Sequence, residues 1–136
     1  MKSDRRIVVI PCGARKKLVS AQAQYMYTGS YHKMCQRYGR SLVPPEQIYI
    51  LSAKYGLLRL EDVIEPYSMT LGQPGCVTPQ DVYKQAFNYD ILDRPCVAVG
   101  GRRYTDLCRR VWKDCTTPLW GKGGNGKQMQ WMKSQL

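Results

Sequence analysis

Three unbroken apolar runs of four residues constrain the fold of this 136-residue chain more than any other feature. The runs are IVVI at residues 7–10, IYIL at residues 48–51 and CVAV at residues 96–99. Strands that are buried on both faces of a parallel sheet carry continuous runs of this kind, whereas half-exposed strands alternate. TPLW at residues 117–120 is a weaker fourth candidate, and its proline favours an edge position.

Helical periodicity fills the intervals between these runs. Apolar residues recur three and four positions apart within residues 31–38, 82–86, 104–111 and 129–136. TPQD at residues 78–81 adds an N-cap threonine, a proline at the first helical position and an acid in the first turn. The alternation predicts an α/β fold: a single-domain Rossmann-like three-layer sandwich over residues 1–136, with a mainly parallel sheet of about four strands.

Hydropathy and cysteine spacing exclude several classes of protein. No apolar run approaches the roughly 20 residues that a membrane-spanning helix needs, and MKSDRR at the start lacks the apolar core of a signal peptide. We therefore expect a cytoplasmic protein with no membrane partner. The six cysteines form no C-x-x-C pair and the chain has one histidine, so we predict reduced thiols, no metal site and no cofactor.

The net charge of +11 is unevenly distributed along the chain. Residues 1–40 and 94–136 each contain nine Lys or Arg, against one and two acids, whereas residues 41–93 contain three basic and seven acidic residues. Positive charge alone would keep a small domain soluble. Clustering of this size favours an anionic partner, a nucleotide or nucleic acid, because each neutralised phosphate releases counterions. The oligomeric state stays open.

Glycine and a Lys or Arg follow each predicted strand within a few residues, in the loops 11–17, 52–56, 100–104 and 121–127. Ligands of open α/β sheets bind beyond the carboxyl ends of the strands. Glycine lets backbone N–H groups approach a ligand, and helix N-termini and cations attract phosphate. A single loop of this kind is usually a solvated turn, but four together predict an anion-binding crevice. The candidate ligand-binding residues in these loops are Gly13, Arg15, Lys16, Ser52, Tyr55, Gly56, Gly100, Gly101 and Arg102.

Three residues are candidates for chemistry. Glu65 follows the second strand in an acidic segment, and we expect it to face Lys54 across the crevice as a general acid or base; the alternative is a solvated surface. Cys12 follows the first strand beside three basic residues, which suits a thiolate nucleophile, although an inert buried thiol is commoner. Tyr55 and Tyr67 either stack on a base or pack internally. His32 is expected at a surface or helix cap.

A longer pattern resembles a known family. ILSAKYGLL at residues 50–58, IEPY at residues 64–67, the upstream YTG at residues 27–29 and the polar loop 12–17 resemble the YaaA family of peroxide-stress proteins. The pattern is most similar to small uncharacterised phage and bacterial domains related to that family. The resemblance implies a Rossmann-like domain of uracil-DNA-glycosylase type and a DNA-associated role. A weaker similarity to archaeal tRNA-guanine-modifying enzymes implies bases or nucleosides as ligands. The YTG motif of the YaaA-like resemblance adds Tyr27 and Gly29 to the candidate ligand-binding residues.

Two functions remain open at this point. The first is an enzyme that modifies a nucleobase or nucleoside, free or within DNA or RNA, by a glycosidase-like or transferase reaction in the basic crevice. The second is a non-catalytic protein that binds DNA or RNA or inhibits a host factor. Tight binding of a free nucleotide would favour the first, and steeply salt-dependent binding without base preference would favour the second.

Overall fold

The computed structural model describes residues 4–136, which form seven strands and five α-helices. The strands are β1 (Ile7–Pro11), β2 (Ala21–Gln22), β3 (Ile48–Ser52), β4 (Gly56–Arg59), β5 (Val63–Ile64), β6 (Cys96–Ala98) and β7 (Cys115–Thr116). The helices are α1 (Ala23–Met26), α2 (Ser30–Leu42), α3 (Pro79–Asn88), α4 (Arg102–Val111) and α5 (Asn125–Ser134), and a 3₁₀ turn spans Pro45–Gln47.

Five strands form a central, mostly parallel sheet in the order β4-β3-β1-β6-β7. β1 pairs in parallel with β3 and β6, and β6 pairs in parallel with β7. β3 and β4 form an antiparallel hairpin, and β2 and β5 form a separate two-stranded antiparallel sheet. The prediction of an α/β fold with a mainly parallel sheet is confirmed, and the three apolar runs lie in β1, β3 and β6.

Helices cover the central strands because those strands are apolar on both faces. Every residue of β1 and β3 is buried. α2 packs against β1 and α5, whereas α3 packs against α4 and β4. The contact of α2 with the sheet is close at Gly39, where an added Cβ would lie 3.3 Å from Cγ1 of Val8. Trp112, which is fully buried after α4, donates its indole N–H to the carbonyl oxygen of Ile91.

The predicted fourth strand at residues 117–120 is wrong. The strand is Cys115–Thr116, and two successive turns follow it, closed by hydrogen bonds from Trp120 N to Thr117 O and from Lys122 N to Leu119 O. Pro118 has no N–H group, so a strand continued through it could not keep its ladder. The number of strands also differs, because the connection after β3 folds back as β4 instead of remaining a loop.

The predicted helical segments are confirmed as parts of α2, α3, α4 and α5, except that α5 ends at Ser134 and leaves residues 135–136 outside it. The N-terminus of α3 has the expected N-cap threonine and first-turn acid, and the two form a capping box. Thr78 accepts from the backbone N–H of Asp81, and the Asp81 carboxylate accepts from the N–H of Thr78. Such a box satisfies two N–H groups that the helix itself leaves unpaired. α5 begins earlier than predicted, at Asn125 inside the glycine-rich loop.

Two further properties concern membranes and thiols. None of the helices in residues 4–136 has the length and apolar character needed to cross a bilayer. The six cysteines, all within this range, are unpaired. In the same range no three His, Cys, Asp or Glu side chains are grouped so that they could hold a metal ion.

The turn between β3 and β4 yields a stability prediction. Gly56 has φ of +78°, and an added Cβ would overlap the amide of Gln85. That amide accepts from the N–H of Leu57 at 2.9 Å and donates to the carbonyl of Tyr55 at 2.9 Å. Gly56→Ala should therefore lower the free energy of unfolding by about 2–4 kcal/mol, through backbone strain and lost hydrogen bonds. Urea unfolding measures the change.

Gly126→Ala is the matched control, because its added methyl meets no atom within 4 Å in α5. It should raise the free energy of unfolding by about 0.5–1 kcal/mol, as alanine does in a helix. Equal effects of the two substitutions would show that Gln85 does not fix this turn.

Candidate functional site

A cleft of about 460 Å³ opens at the carboxyl end of β1. One wall is the loop that leaves β1, and the first turns of three helices complete it. Its lining residues are Pro11, Cys12, Gly13, Ala14, Arg15, Gly29, Ser30, Tyr31, His32, Gly101, Tyr104 and Asn125. Five of the predicted site residues are among them: Cys12, Gly13, Arg15, Gly29 and Gly101. We call this site the strand-end cleft.

The helices that begin at the strand-end cleft have glycine at their N-caps. Gly29 precedes α2, Gly101 precedes α4 and Gly124 precedes α5; within the described chain none of these three N-termini has a side-chain cap hydrogen bond or an acid in its first turn. α3, whose N-terminus does not line the cleft, has the Thr78–Asp81 box. The first N–H groups of three helices, with the positive ends of their dipoles, are therefore left for an external anion.

The loop after β1 adds one cation to this cleft. Arg15 is exposed beside the N-cap of α2, with its Cβ 4.0 Å from the place of a Cβ on Gly29. Within residues 4–136 the ion pairs are Arg5–Asp93 and Arg6–Asp4, so Arg15 has no acidic partner there. Gly101 has no atom within 4 Å of its Cβ position and leaves the cleft open.

Cys12 lies at the floor of the cleft and is 9% exposed. Its Sγ is 3.2 Å from the hydroxyl oxygen of Tyr104, the first aromatic residue of α4. Burial, and then the neighbouring Cys12, raise the pKa of Tyr104 above its ordinary value. The phenol therefore stays protonated and can donate to the sulfur or to a ligand.

A tyrosine cluster adjoins the cleft and contains five predicted site residues. The hydroxyls of Tyr27 and Tyr67 are 2.6 Å apart, and Ser52 donates to the Tyr67 hydroxyl at 2.8 Å. The Ser52 hydroxyl also accepts from the backbone N–H of Tyr55 at 3.0 Å. Lys16 Nζ lies 4.4 Å from the centroid of the Tyr67 ring. Burial lowers the pKa of Lys16 and raises that of both Tyr27 and Tyr67.

This cluster holds the turn after β3 against the loop after β1. Ser52 is fully buried, and its hydroxyl is used by the turn itself and by Tyr67. The ring of Tyr55 meets that of Tyr67 edge-on with centroids 5.5 Å apart. Lys16, Ser52 and Tyr67 thus have internal partners here.

Lys54 and Glu65 lie outside the strand-end cleft, and both are exposed. Both residues contact Tyr55. Lys54 Nζ is 5.2 Å from the centroid of the Tyr55 ring, and the Tyr55 hydroxyl donates to the backbone oxygen of Glu65 at 3.3 Å. Within the described chain the two side chains form no ion pair. Their catalytic role stays a prediction.

Three other predicted ligand residues have internal contacts. Gly56 makes room for Gln85, as described above. Gly100 has φ of +132°, and an added Cβ would lie 2.9 Å from Cγ of Pro11. The guanidinium of Arg102 lies 4.3 Å from the Trp120 ring centroid. Gly56 and Gly100 are therefore accounted for by close packing of their loops against Gln85 and Pro11.

The expectation that His32 lies at a surface or cap is wrong, because its side chain is 2% exposed. Nδ1–H donates to the carbonyl of Pro11 at 2.8 Å, and Nε2 accepts from the Gln36 amide at 2.9 Å. The ring also lies 4.8 Å from that of Tyr27. Burial lowers the pKa of His32 to about 4, despite the opposing effect of the Pro11 carbonyl. It is a neutral residue that joins α2 to β1.

Sequence reasoning missed five cleft residues that belong to helices: Ser30, Tyr31, His32, Tyr104 and Asn125. Each lies in the first turn of a helix. Tyr31 and Tyr104 begin two of the apolar stripes that predict helices, and such stripes usually pack in a core. The glycine that precedes each first turn was the available signal.

A second cavity, of about 560 Å³, lies near the amino ends of β6 and β7. It is lined by residues of both charges, among them Asp93, Arg94, Lys113 and Asp114, and by the exposed ring of Phe87. No helix N-terminus lines it in the described chain. Its mixed charge and its position before the strands make it a poorer candidate than the strand-end cleft.

Comparison with known proteins identifies a family. Residues 7–134 match the model of a family described as a family of unknown function, DUF6884. No curated protein and no solved structure matches the chain. Neither finding tests the resemblance to YaaA-like proteins.

Burial of the single histidine predicts a pH dependence of stability. The unfolded chain protonates His32 near pH 6.5, whereas the folded chain does so near pH 4. Between these values the unfolded state binds more protons, so the free energy of unfolding should fall by about 3 kcal/mol as the pH is lowered through this window. Urea unfolding across that range measures the slope.

His32→Gln removes the titrating group and should flatten this part of the profile, although it lowers stability at neutral pH. A wild-type slope that persists unchanged in the variant would assign the pH dependence to other groups.

Proposed function

The chain belongs to DUF6884, a family of unknown function, and we propose that it binds a nucleotide, free or within DNA or RNA, in the strand-end cleft. One observation carries the proposal: three glycine-capped helix N-termini meet there without internal caps. Phosphate is the anion that helix N-termini bind most often in nucleotide sites.

The sheet order supports this position for a ligand. The chain passes from β1 to β3 on one side and reaches β6 on the other, so the connections diverge between β1 and β6. In doubly wound Rossmann-like sheets, nucleotides bind at this point of divergence. Residues after β1 and after β6, Cys12 and Gly101 among them, line the cleft. We therefore include a Rossmann-like fold in the proposal.

Aromatic residues provide a place for the base. Tyr31 and Tyr104 are half-buried and line the cleft on its helical sides. Burial raises the pKa of both phenols, so both remain neutral. A neutral phenol can donate to or accept from the edge of a base, and its ring can stack on one.

Phosphate would then lie at the helix N-termini and Arg15, with the base toward the tyrosines. The YaaA-like resemblance, which implies bases or nucleosides as ligands, agrees with this arrangement. The basic character of both ends of the chain also favours a polyanion.

Catalysis by Cys12 is a second candidate function, and its contact with Tyr104 favours it. The thiol lies in the cleft where a bound sugar or base would meet it, and the neutral phenol of Tyr104 can donate a hydrogen bond to its sulfur. No Asp or Glu lines the strand-end cleft in the described chain. A nucleobase- or nucleoside-modifying reaction would therefore depend on the thiol, unless the ligand extends to Glu65.

Charge reversal at Arg15 tests nucleotide binding. Arg15→Glu should weaken the binding of nucleoside monophosphates about 10- to 100-fold, because a charge-assisted hydrogen bond to phosphate is lost and repulsion replaces it. Isothermal titration and ligand-induced shifts of Tm measure the effect. Lys113→Glu, an equal charge change at the distant cavity, is the control. Equal affinity of both variants and the wild type would contradict the proposed site.

Substitution of Cys12 tests the catalytic candidate. Cys12→Ser keeps a hydrogen-bonding group next to Tyr104, so nucleotide binding should persist while any base or sugar product disappears. Products are followed by liquid chromatography and mass spectrometry after incubation with nucleosides, nucleotides and oligonucleotides. Cys76→Ser, at a thiol that does not line the cleft, should leave turnover unchanged. Full turnover by Cys12→Ser would exclude the thiol as nucleophile.

A further inference from the structure

A second groove, of about 450 Å³, runs along α2 beside the strand-end cleft. Four cations, Lys17, Lys33, Arg37 and Arg40, line it together with Tyr25, and we call it the α2 groove. Thr28 and Gln36 are among its other lining residues. All four cations are exposed to solvent.

No acid neutralises these cations. The lining of the groove contains no Asp or Glu from residues 4–136, and neither ion pair of the described chain involves it. Arg40 donates to the amide oxygens of Gln24 and Gln36, which carry no charge. The groove therefore presents four positive charges that require an external anion to be neutralised.

The spacing of the cations fits a polymer better than a single phosphate. Lys33, Arg37 and Arg40 lie at i, i+4 and i+7 on one face of α2, so they span about 10.5 Å along the helix axis at 1.5 Å per residue. This row is longer than a single phosphate group, so several linked phosphates fit it better than one phosphate does.

Tyr25 gives the groove an aromatic surface. Its side chain is 58% exposed in the short helix α1, and Lys17 Nζ lies 5.7 Å from its ring centroid. Burial therefore does not account for the ring, whereas an unstacked base could lie on it. A base within a duplex is already stacked on its neighbours, so this surface favours a single strand.

The α2 groove and the strand-end cleft are joined by two paired segments. Residues 15–17 run beside residues 26–28, with hydrogen bonds from Thr28 N to Arg15 O at 3.0 Å and from Lys17 N to Met26 O at 2.9 Å. Arg15 lines the cleft and Lys17 lines the groove. The two sites are therefore neighbours along this pair of segments, and one chain of nucleotides could extend from one to the other.

We infer that the α2 groove binds the backbone of a single-stranded nucleic acid, one nucleotide of which occupies the strand-end cleft. Lys17, Lys33, Arg37 and Arg40 contact phosphates, and Tyr25 stacks on a base. The assignment of one nucleotide to the cleft rests on the proposed function. The assignment of the groove rests on its own charge and shape.

Charge reversal with a matched control tests this inference. The test variant is Lys33→Glu, Arg37→Glu and Arg40→Glu together. The control variant is Lys84→Glu, Arg110→Glu and Lys113→Glu, which changes the net charge equally on exposed positions outside both sites. Fluorescence anisotropy measures binding of a labelled oligothymidylate of about 15 nucleotides, of its duplex with oligoadenylate, and of labelled thymidine monophosphate.

The test variant should lose at least about 100-fold in affinity for the single strand, and its salt slope should fall by about two, which corresponds to three phosphate contacts. The control variant should lose only a few-fold. The wild type should bind the single strand more tightly than the duplex. Equal losses in both variants, or preference for the duplex, would overturn the inference.

Tyr25→Leu should weaken single-strand binding about 10-fold, whereas Tyr83→Leu, at another exposed tyrosine, should not change it. If Tyr25→Leu binds the single strand as tightly as the wild type does, Tyr25 does not stack on a base. Should the triple variant fail to fold by circular dichroism, Lys33→Ala with Arg37→Ala carries the test, because neither side chain makes a hydrogen bond within residues 4–136.

Binding of thymidine monophosphate separates the two proposals. If the wild type and the test variant both bind the monophosphate and Arg15→Glu does not, the result supports the proposed nucleotide site in the cleft. If the oligonucleotide alone binds, and the test variant abolishes it, the groove stands and the cleft proposal fails. If only the monophosphate binds, the groove inference fails.

Discussion

The parallel pairing of β1 with both β3 and β6 determines where every other part of this molecule lies. Hydrogen bonds at the strand ends, from Cys12 N to Leu51 O and from Val99 N to Val9 O, continue that pairing into the following loops. The loops after β1, β3 and β6 therefore leave the sheet at one edge with fixed mutual positions. α4 begins directly after the loop that follows β6, whereas α2 begins only after β2 and α1. The N-termini of both helices line the cleft at the carboxyl ends of the strands, where ligands of such sheets bind.

The helices that begin at this cleft differ from α3 in how their first N–H groups are satisfied. The Thr78–Asp81 box gives α3 a complete internal solution. Glycine N-caps give none to α2, α4 or α5, and α4 has two arginines in its first turn, where positive charge opposes the helix dipole. All three of these glycine-capped N-termini lie at the one cleft. An anion bound there would correct both the missing caps and the repulsion.

Much of the fold follows from local patterns, and much of the site does not. The apolar runs in β1, β3 and β6 and the N-cap at Thr78 depend only on neighbouring residues, and they were predicted. The roles of Gly100 and of the β3–β4 turn depend on Pro11 and Gln85, which are distant in sequence. A glycine that leaves space for a ligand and one that leaves space for a neighbouring side chain cannot be distinguished in the sequence. Only the contacts in the folded chain show that Gly100 packs against Pro11 and that Gly101 leaves open space.

The same argument applies to the cations. The net charge alone does not show which cations are free to bind a ligand, whereas the internal contacts of each side chain do. Lys16 lies on the Tyr67 ring, and Arg102 and Arg109 lie on Trp120, so part of the positive charge is already stabilised internally. Lys33 and Arg37 have no such partner in the described chain, and their spacing of four residues on α2 makes them repel each other by a few tenths of a kcal/mol. Folding alone does not favour such a row next to Arg15 and a set of uncapped helix ends. Under the proposal made above, a phosphate polymer would neutralise the row and the helix ends together, and the adjacency of the two sites would follow from that.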